Sequence, residues 1–229
     1  MIIALNNKSN FTKEEFINYN NELNNIELKG EEVIIFPTDT YLALFNSNSI
    51  SLGSQNVSKF GIGAHTGEVA CEQLKSLNVK YSLVGHSERR LEQKEDNASC
   101  NLKVKRLLEN DITPVLCIGE TAQEKNANMT SFIIEEELTE DLNGVDPSKV
   151  IIAYEPIYSI GTGVIADIND VTKVVNLIRE HLPNTKVLYG GSVNEDNALE
   201  ISKIVDGFLI GGMGLHPEKV QSLINNLNN

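Results

Sequence analysis

Apolar residues along this chain gather in eight short runs, at 2–5, 33–36, 50–53, 82–85, 113–118, 150–154, 186–189 and 207–210. Most are rich in β-branched or aromatic side chains and stop at glycine, asparagine, proline or a charged residue. Strands covered on both faces of a parallel sheet read this way. Between the runs the spacing turns helical. Ile168, Val171, Val174, Val175, Ile178 and Leu182 recur at i, i+3, i+4 and i+7, as do Val220, Leu223, Ile224 and Leu227 behind Pro217. Ile134, Leu138 and Leu142 mark another stripe, and Phe16, Tyr19, Leu23 and Ile26 a fourth. The pattern predicts eight strands, each followed by a helix, the one after Phe36 being short and weak.

About 29 residues fall to each strand–helix unit, close to the roughly 25 of the most compact eight-unit barrels. Such alternation implies parallel strands joined by right-handed crossovers. Periodicity does not separate a closed eight-stranded barrel from an open, doubly wound sheet. No linker-like tract or compositional break divides residues 1–229, so a single domain is expected. Asparagine enrichment at 18–25 and at the C-terminus reads as bias on solvent faces.

Composition narrows the function classes. With 41% hydrophobic residues the chain has material for a sizeable core. No apolar stretch approaches the roughly 20 residues that span a bilayer, and the N-terminus lacks the basic region of a secretory signal. Cys71, Cys100 and Cys117 are too few and scattered for a disulfide framework or a zinc site. The 32 acidic and 19 basic residues, a net charge of −13, argue against nucleic-acid and anionic-membrane partners. A cytoplasmic, acidic, globular protein is expected.

In parallel α/β folds the chemistry sits at the C-terminal ends of the strands, and four such ends are unusually polar. Asn6-Asn7-Lys8 follows the first run. A lysine there is ordinarily a solvated loop residue, but at a barrel mouth it supplies positive charge for an anionic substrate. Gly85-His86-Ser87-Glu88-Arg89-Arg90 follows the fourth. A histidine at a helix start is held neutral by the helix dipole. The plainer alternative makes Ser87 an N-cap and leaves Arg89 and Arg90 on the surface.

The sixth run ends on Glu155, then Pro156-Ile157-Tyr158-Ser159-Ile160-Gly161-Thr162-Gly163-Val164-Ile165-Ala166. A carboxylate ending a buried strand is costly unless paired, solvated or used. The glycines behind it suit a mobile loop able to approach an anion, against the alternative of a structural glutamate and an ordinary loop. Gly190-Gly191-Ser192 and Gly211-Gly212 follow the last two runs. Paired glycines let backbone N–H groups reach phosphate oxygens, and barrels commonly hold phosphate after strands seven and eight. Either pair alone would serve a tight turn equally well.

Taken together these segments resemble the triosephosphate isomerase family. The resemblance rests on Gly85 to Arg90, Ala153-Tyr154-Glu155-Pro156, Ile160-Gly161-Thr162-Gly163, Tyr189-Gly190-Gly191-Ser192-Val193 and Gly207-Phe208-Leu209-Ile210-Gly211-Gly212. Weaker echoes are Asn6-Asn7-Lys8, Gln55-Asn56, Gly63-Ala64-His65-Thr66-Gly67-Glu68 and Cys117-Ile118-Gly119-Glu120. They stand in the family's order from residue 6 to about residue 220.

The resemblance implies a closed (β/α)8 barrel and an intramolecular aldose–ketose isomerase acting on triose phosphates, without metal or organic cofactor. It implies Glu155 as the base, His86 as a neutral electrophile, and Lys8 and Asn6 as stabilisers of substrate and intermediate charge. Glu88 would fix Lys8, and Ser87 would support the site. Gly161, Ser192, Gly211 and Gly212 would hold the phosphate, under a lid formed by residues 156–166. It also implies a homodimer built through the loop Gly63 to Glu68.

Several positions depart from the family's usual residues. Asn7 stands where an aromatic residue is common, Tyr158 where the lid has tryptophan, and Val164-Ile165 where it has Lys-Thr. These departures leave two other readings open: a catalytically weak paralogue that binds triose phosphate or acts as an interaction protein, and a related isomerase of another sugar phosphate. With so negative a chain, attraction of a phosphate ester must come from Lys8, Arg89 or Arg90 and the loop N–H groups. Acids should then lie on the outer helices.

Overall fold

The computed structural model describes residues 1–159, 166–194 and 197–228. Eight parallel strands close into a barrel in sequence order: β1 (Ile2–Asn6), β2 (Glu32–Phe36), β3 (Ser51–Ser54), β4 (Tyr81–Val84), β5 (Thr113–Ile118), β6 (Ile151–Tyr154), β7 (Lys186–Tyr189) and β8 (Gly207–Ile210). Pairing of Ile2 with Glu32 on one side and Gly207 on the other closes the ring at β1. Closure settles the question that periodicity leaves open.

Alternate residues of each strand face two different cores. Ile2, Ala4, Ile34, Phe36, Leu83, Val115, Cys117, Ile151, Ala153, Leu188 and Leu209 fill the barrel interior. Ile3, Leu5, Val33, Ile35, Leu116, Ile152, Tyr154 and Phe208 face outward beneath the helices. Both faces are buried, which explains why the strands read as nearly unbroken apolar runs.

The helices are α1 (Lys13–Leu23), α2 (Cys71–Ser76), α3 (Ser87–Glu92), α4 (Asn97–Glu109), α5 (Ala122–Asn126), α6 (Thr130–Asp141), α7 (Ile168–His181), α8 (Ala198–Ile201) and α9 (Pro217–Leu227). Only a 3₁₀ turn, Asp39–Leu44, follows β2, in place of the short, weak helix expected there. Ile26 falls beyond the end of α1, which stops at Leu23. No helix among the described residues is long and apolar enough to cross a membrane. Cys71, Cys100 and Cys117 are free and buried.

Candidate active site

At the C-terminal end of the barrel lies a pocket of about 210 Å³, lined by Asn6, Lys8, His86, Glu155, Gly190 to Val193 and Leu209 to Met213. Each polar group stands at a strand end. Asn6 closes β1, His86 lies two residues beyond β4, and Glu155 one beyond β6. Ser192, Gly211 and Gly212 come from the loops after β7 and β8. Residues 160–165, which include Gly161 and most of the expected lid, lie outside the described residues.

Lys8 has a left-handed backbone, φ 50°, which a lysine adopts only when its surroundings hold it there. The holding contacts are explicit. The Lys8 N–H donates to Asn6 Oδ1 at 3.0 Å, while its carbonyl accepts from Gln55 Nε2 at 2.7 Å and Thr38 Oγ1 at 3.0 Å. The ammonium then reaches Glu88 Oε1 at 2.6 Å. Asn7, beside it, is buried against Tyr19.

His86 caps α3 through its side chain: the Glu88 N–H donates to Nδ1 at 3.3 Å. This corrects the reading of Ser87 as the cap; Ser87 is the first helical residue, and its N–H donates to Glu155 Oε2 at 3.0 Å. Nδ1 must be unprotonated to accept, so Nε2 carries the hydrogen, and it lies 3.1 Å from Glu155 Oε1. Burial disfavours the imidazolium, but the Glu155 and Glu88 carboxylates outweigh it and raise the His86 pKa above the ordinary imidazole value. That pull comes chiefly from Glu155, with a smaller share from Glu88. Glu155 is 2% exposed. Burial works against its charge, yet His86 and the Ser87 N–H hold its pKa below the usual carboxylate range.

The first part of the expected lid is anchored twice. Ser192 Oγ donates to the Ser159 carbonyl at 2.7 Å. Lys125 Nζ donates to Tyr158 Oη at 2.8 Å, lies 4.2 Å from that ring's centre, and pairs with Asp170.

Lys8 and Glu155 are the pocket's charged side chains among the described residues. An adjoining cavity of about 490 Å³, on the other side of Lys8, adds Asp39, Glu88, Arg89 and Glu92. Arg89 and Arg90 are not free surface cations. Arg89 Nε binds Glu95 at 2.7 Å, and Arg90 turns inward to Asp141, Asn97 and the carbonyls of Gly85 and Cys117. Positive side-chain charge at the pocket is thus Lys8. Among the described residues no group of three or more His, Cys, Asp or Glu is placed to hold a metal ion.

Glu95, Lys103, Glu137 and Asp141 are also buried around these strand ends, and the sequence reading does not single them out. Glu137 and Asp141 face the single Arg90 guanidinium. Burial pushes Glu137 up to about 8 and Asp141 to about 7, although Arg90 favours their charged forms. The folded chain keeps protons that an unfolded chain, with ordinary values of 4.5 and 3.8, has released. Their contribution to stability therefore falls as pH rises from about 5 to about 8. In Asp141→Asn the urea midpoint should vary less across that range than in the parent; an unchanged slope would contradict the assignment.

A family model described as triosephosphate isomerase matches residues 1–227. Curated relatives carry the same name. The one from Mesomycoplasma hyorhinis is 44% identical over 78% of this chain and 74% of its own length. That from Alkaliphilus metalliredigens is 37% identical over 98% of both chains. That from Debaryomyces hansenii is 40% identical over 94% of both.

Proposed function

From the premise that this chain belongs to the triosephosphate isomerase family, we infer that it interconverts D-glyceraldehyde 3-phosphate and dihydroxyacetone phosphate. The observation that carries the site assignment is the contact of the buried Glu155 carboxylate with the Nε2 side of His86, in a small pocket that also holds Lys8.

The groups have complementary tasks. Glu155 removes a proton from the carbon beside the substrate carbonyl. The C–H electron pair becomes the carbon–carbon double bond, and the carbonyl π pair moves onto oxygen to give an enediolate. His86, donating through Nε2–H, and Lys8 with Asn6 stabilise that oxygen. Glu155 returns the proton to the neighbouring carbon, and exchange of a proton between the two oxygens through His86 completes the isomerisation. No atom is gained or lost, and no external oxidant or reductant is required.

Both Glu155 oxygens are engaged in the free enzyme, by Ser87 N–H and by His86. Substrate must therefore displace the carboxylate from His86, which frees Nε2–H for the substrate oxygen and aims the base at carbon. The loop edges at Ser192, Gly211 and Gly212 offer N–H groups for the phosphate, and Gly161 would join them as residues 156–166 close and exclude water.

A coupled assay in both directions tests this reading. Turnover of both trioses is expected; binding of phosphoglycolate without turnover would contradict it and favour a non-catalytic binding protein.

The chain is read as one barrel domain, in a cytoplasmic setting that suits three free buried thiols. It is also read as a homodimer through loop 63–68. Ile62 beside that loop is 74% exposed, Phe60 is 43% exposed, and Phe60 stacks on His65 at 4.2 Å. Such apolar exposure at a loop suits burial in a second copy. Sedimentation should give a dimer at micromolar concentration, shifted toward monomer by Ile62→Asp; a monomeric parent chain would contradict it.

A further inference from the structure

Glu155 and His86 stand where they do because the ends of β4 and β5 are fixed, and one buried ionic cluster fixes both. Arg90 Nε donates to the Gly85 carbonyl at 2.9 Å, and Arg90 Nη2 to the Cys117 carbonyl at 3.2 Å. Gly85 immediately precedes His86, and its N–H is taken by Glu95 Oε1 at 3.0 Å. On the β5 side, the Gly119 N–H donates to Glu137 Oε2 at 2.8 Å.

Gly119 has φ 157° and lies so close to Glu155 that a Cβ placed on it would sit 1.9 Å from the Glu155 carbonyl oxygen. The Glu155 N–H donates to the Ile118 carbonyl at 2.8 Å, one residue before Gly119. The backbone of Glu155 therefore rests directly on the end of β5.

Charge alone does not account for Glu137. One guanidinium needs one carboxylate, and Asp141, wholly buried on the next turn of α6, supplies it. A second buried acid is costly, because burial and the neighbouring carboxylate both oppose its ionisation. What Glu137 adds is an acceptor for an otherwise unpaired N–H at the strand end that seats Glu155. Its other oxygen faces Arg90 Nε at 3.6 Å, which ties α6 to the segment holding His86.

We propose that Glu137 is a positioning residue for the isomerisation: it clamps the Gly119 N–H, and with it the end of β5 that holds the Glu155 backbone in line with His86. The inference rests on Glu155 as the base. It predicts a dependence on the acceptor rather than on the charge.

The test compares Glu137→Leu, Glu137→Gln and Glu137→Asp in the full chain, with Glu155→Gln alongside. Glu137→Leu removes the acceptor and should lower kcat by about 10- to 100-fold, the cost of a misplaced reacting group, with KM within about twofold of the parent. Glu137→Gln keeps a side-chain oxygen for the Gly119 N–H and should restore kcat to within about threefold. Glu137→Asp keeps a carboxyl group but withdraws the acceptor, and its kcat should fall with KM unchanged; it decides the matter where the leucine variant does not fold.

A folded Glu137→Leu or Glu137→Asp with parental kcat would overturn the proposal while leaving Glu155 as the base. Equal losses in the leucine and glutamine variants would overturn it in favour of a charge effect. Full turnover by Glu155→Gln would remove both readings.

Discussion

Replacing Glu155 with glutamine should lower kcat by about 10³-fold in both directions, within the roughly 10²–10⁴-fold that a positioned general base contributes. The amide is nearly isosteric with the carboxylate, so its oxygen still accepts from the Ser87 N–H and the barrel closes as before. What it lacks is the lone pair of a basic carboxylate. The loss should therefore fall on kcat, with substrate affinity almost unchanged. Circular dichroism and phosphoglycolate binding show whether the fold and pocket survive, and the coupled assay reads the loss. A folded variant that binds the inhibitor and turns over normally would remove Glu155 from the chemistry.

Lys8→Met should cost about tenfold less, and with a different signature. Lys8 carries the pocket's positive side-chain charge, since Arg89 and Arg90 are committed to Glu95 and Asp141. A hydrogen bond to a charged group contributes about 1.5–3 kcal/mol, so kcat/KM should fall by roughly 100-fold. KM should rise as well as kcat fall, because an anionic substrate and an enediolate both use this charge. The variant also leaves Glu88, the present partner at 2.6 Å, without its cation beside a pocket in a chain of charge −13. Ionic strength should then change sign in its effect. Added salt weakens attraction of substrate to the parent, whereas in Lys8→Met it screens repulsion. Equal KM for the two proteins across a salt series would contradict the role.

The strands were legible because a barrel buries both faces of each one: the runs 113–118, 186–189 and 207–210 coincide with β5, β7 and β8. The weak segment after Phe36 is a 3₁₀ turn, its apolar residues confined to the short stretch 41–45. Polar residues at strand ends pointed to Lys8, His86 and Glu155, since polarity directly after a buried run needs a partner or a task.

Other features follow from contacts that distant segments make. Ser87 has the better capping chemistry, but its N–H goes to a residue 68 positions away, and His86 takes the cap. The left-handed backbone of Lys8 depends on Gln55 and Thr38 from two other loops. Glu137 and Asp141 did leave a trace. With Ile134 and Leu138 they form the positions i, i+3, i+4 and i+7 of one helical face, and all four are buried. An acid that falls on an apolar stripe calls for a buried partner, and Arg90 supplies it.

The central claim is proton transfer between adjacent carbons by Glu155. Isomerisation of dihydroxyacetone phosphate in D₂O, followed by NMR of recovered substrate and product, tests it most directly. Turnover with deuterium entering the carbon that exchanges its proton, and loss of both turnover and labelling in Glu155→Gln, is the predicted result. Turnover at the parental rate with no solvent deuterium in substrate or product across a full conversion would contradict it.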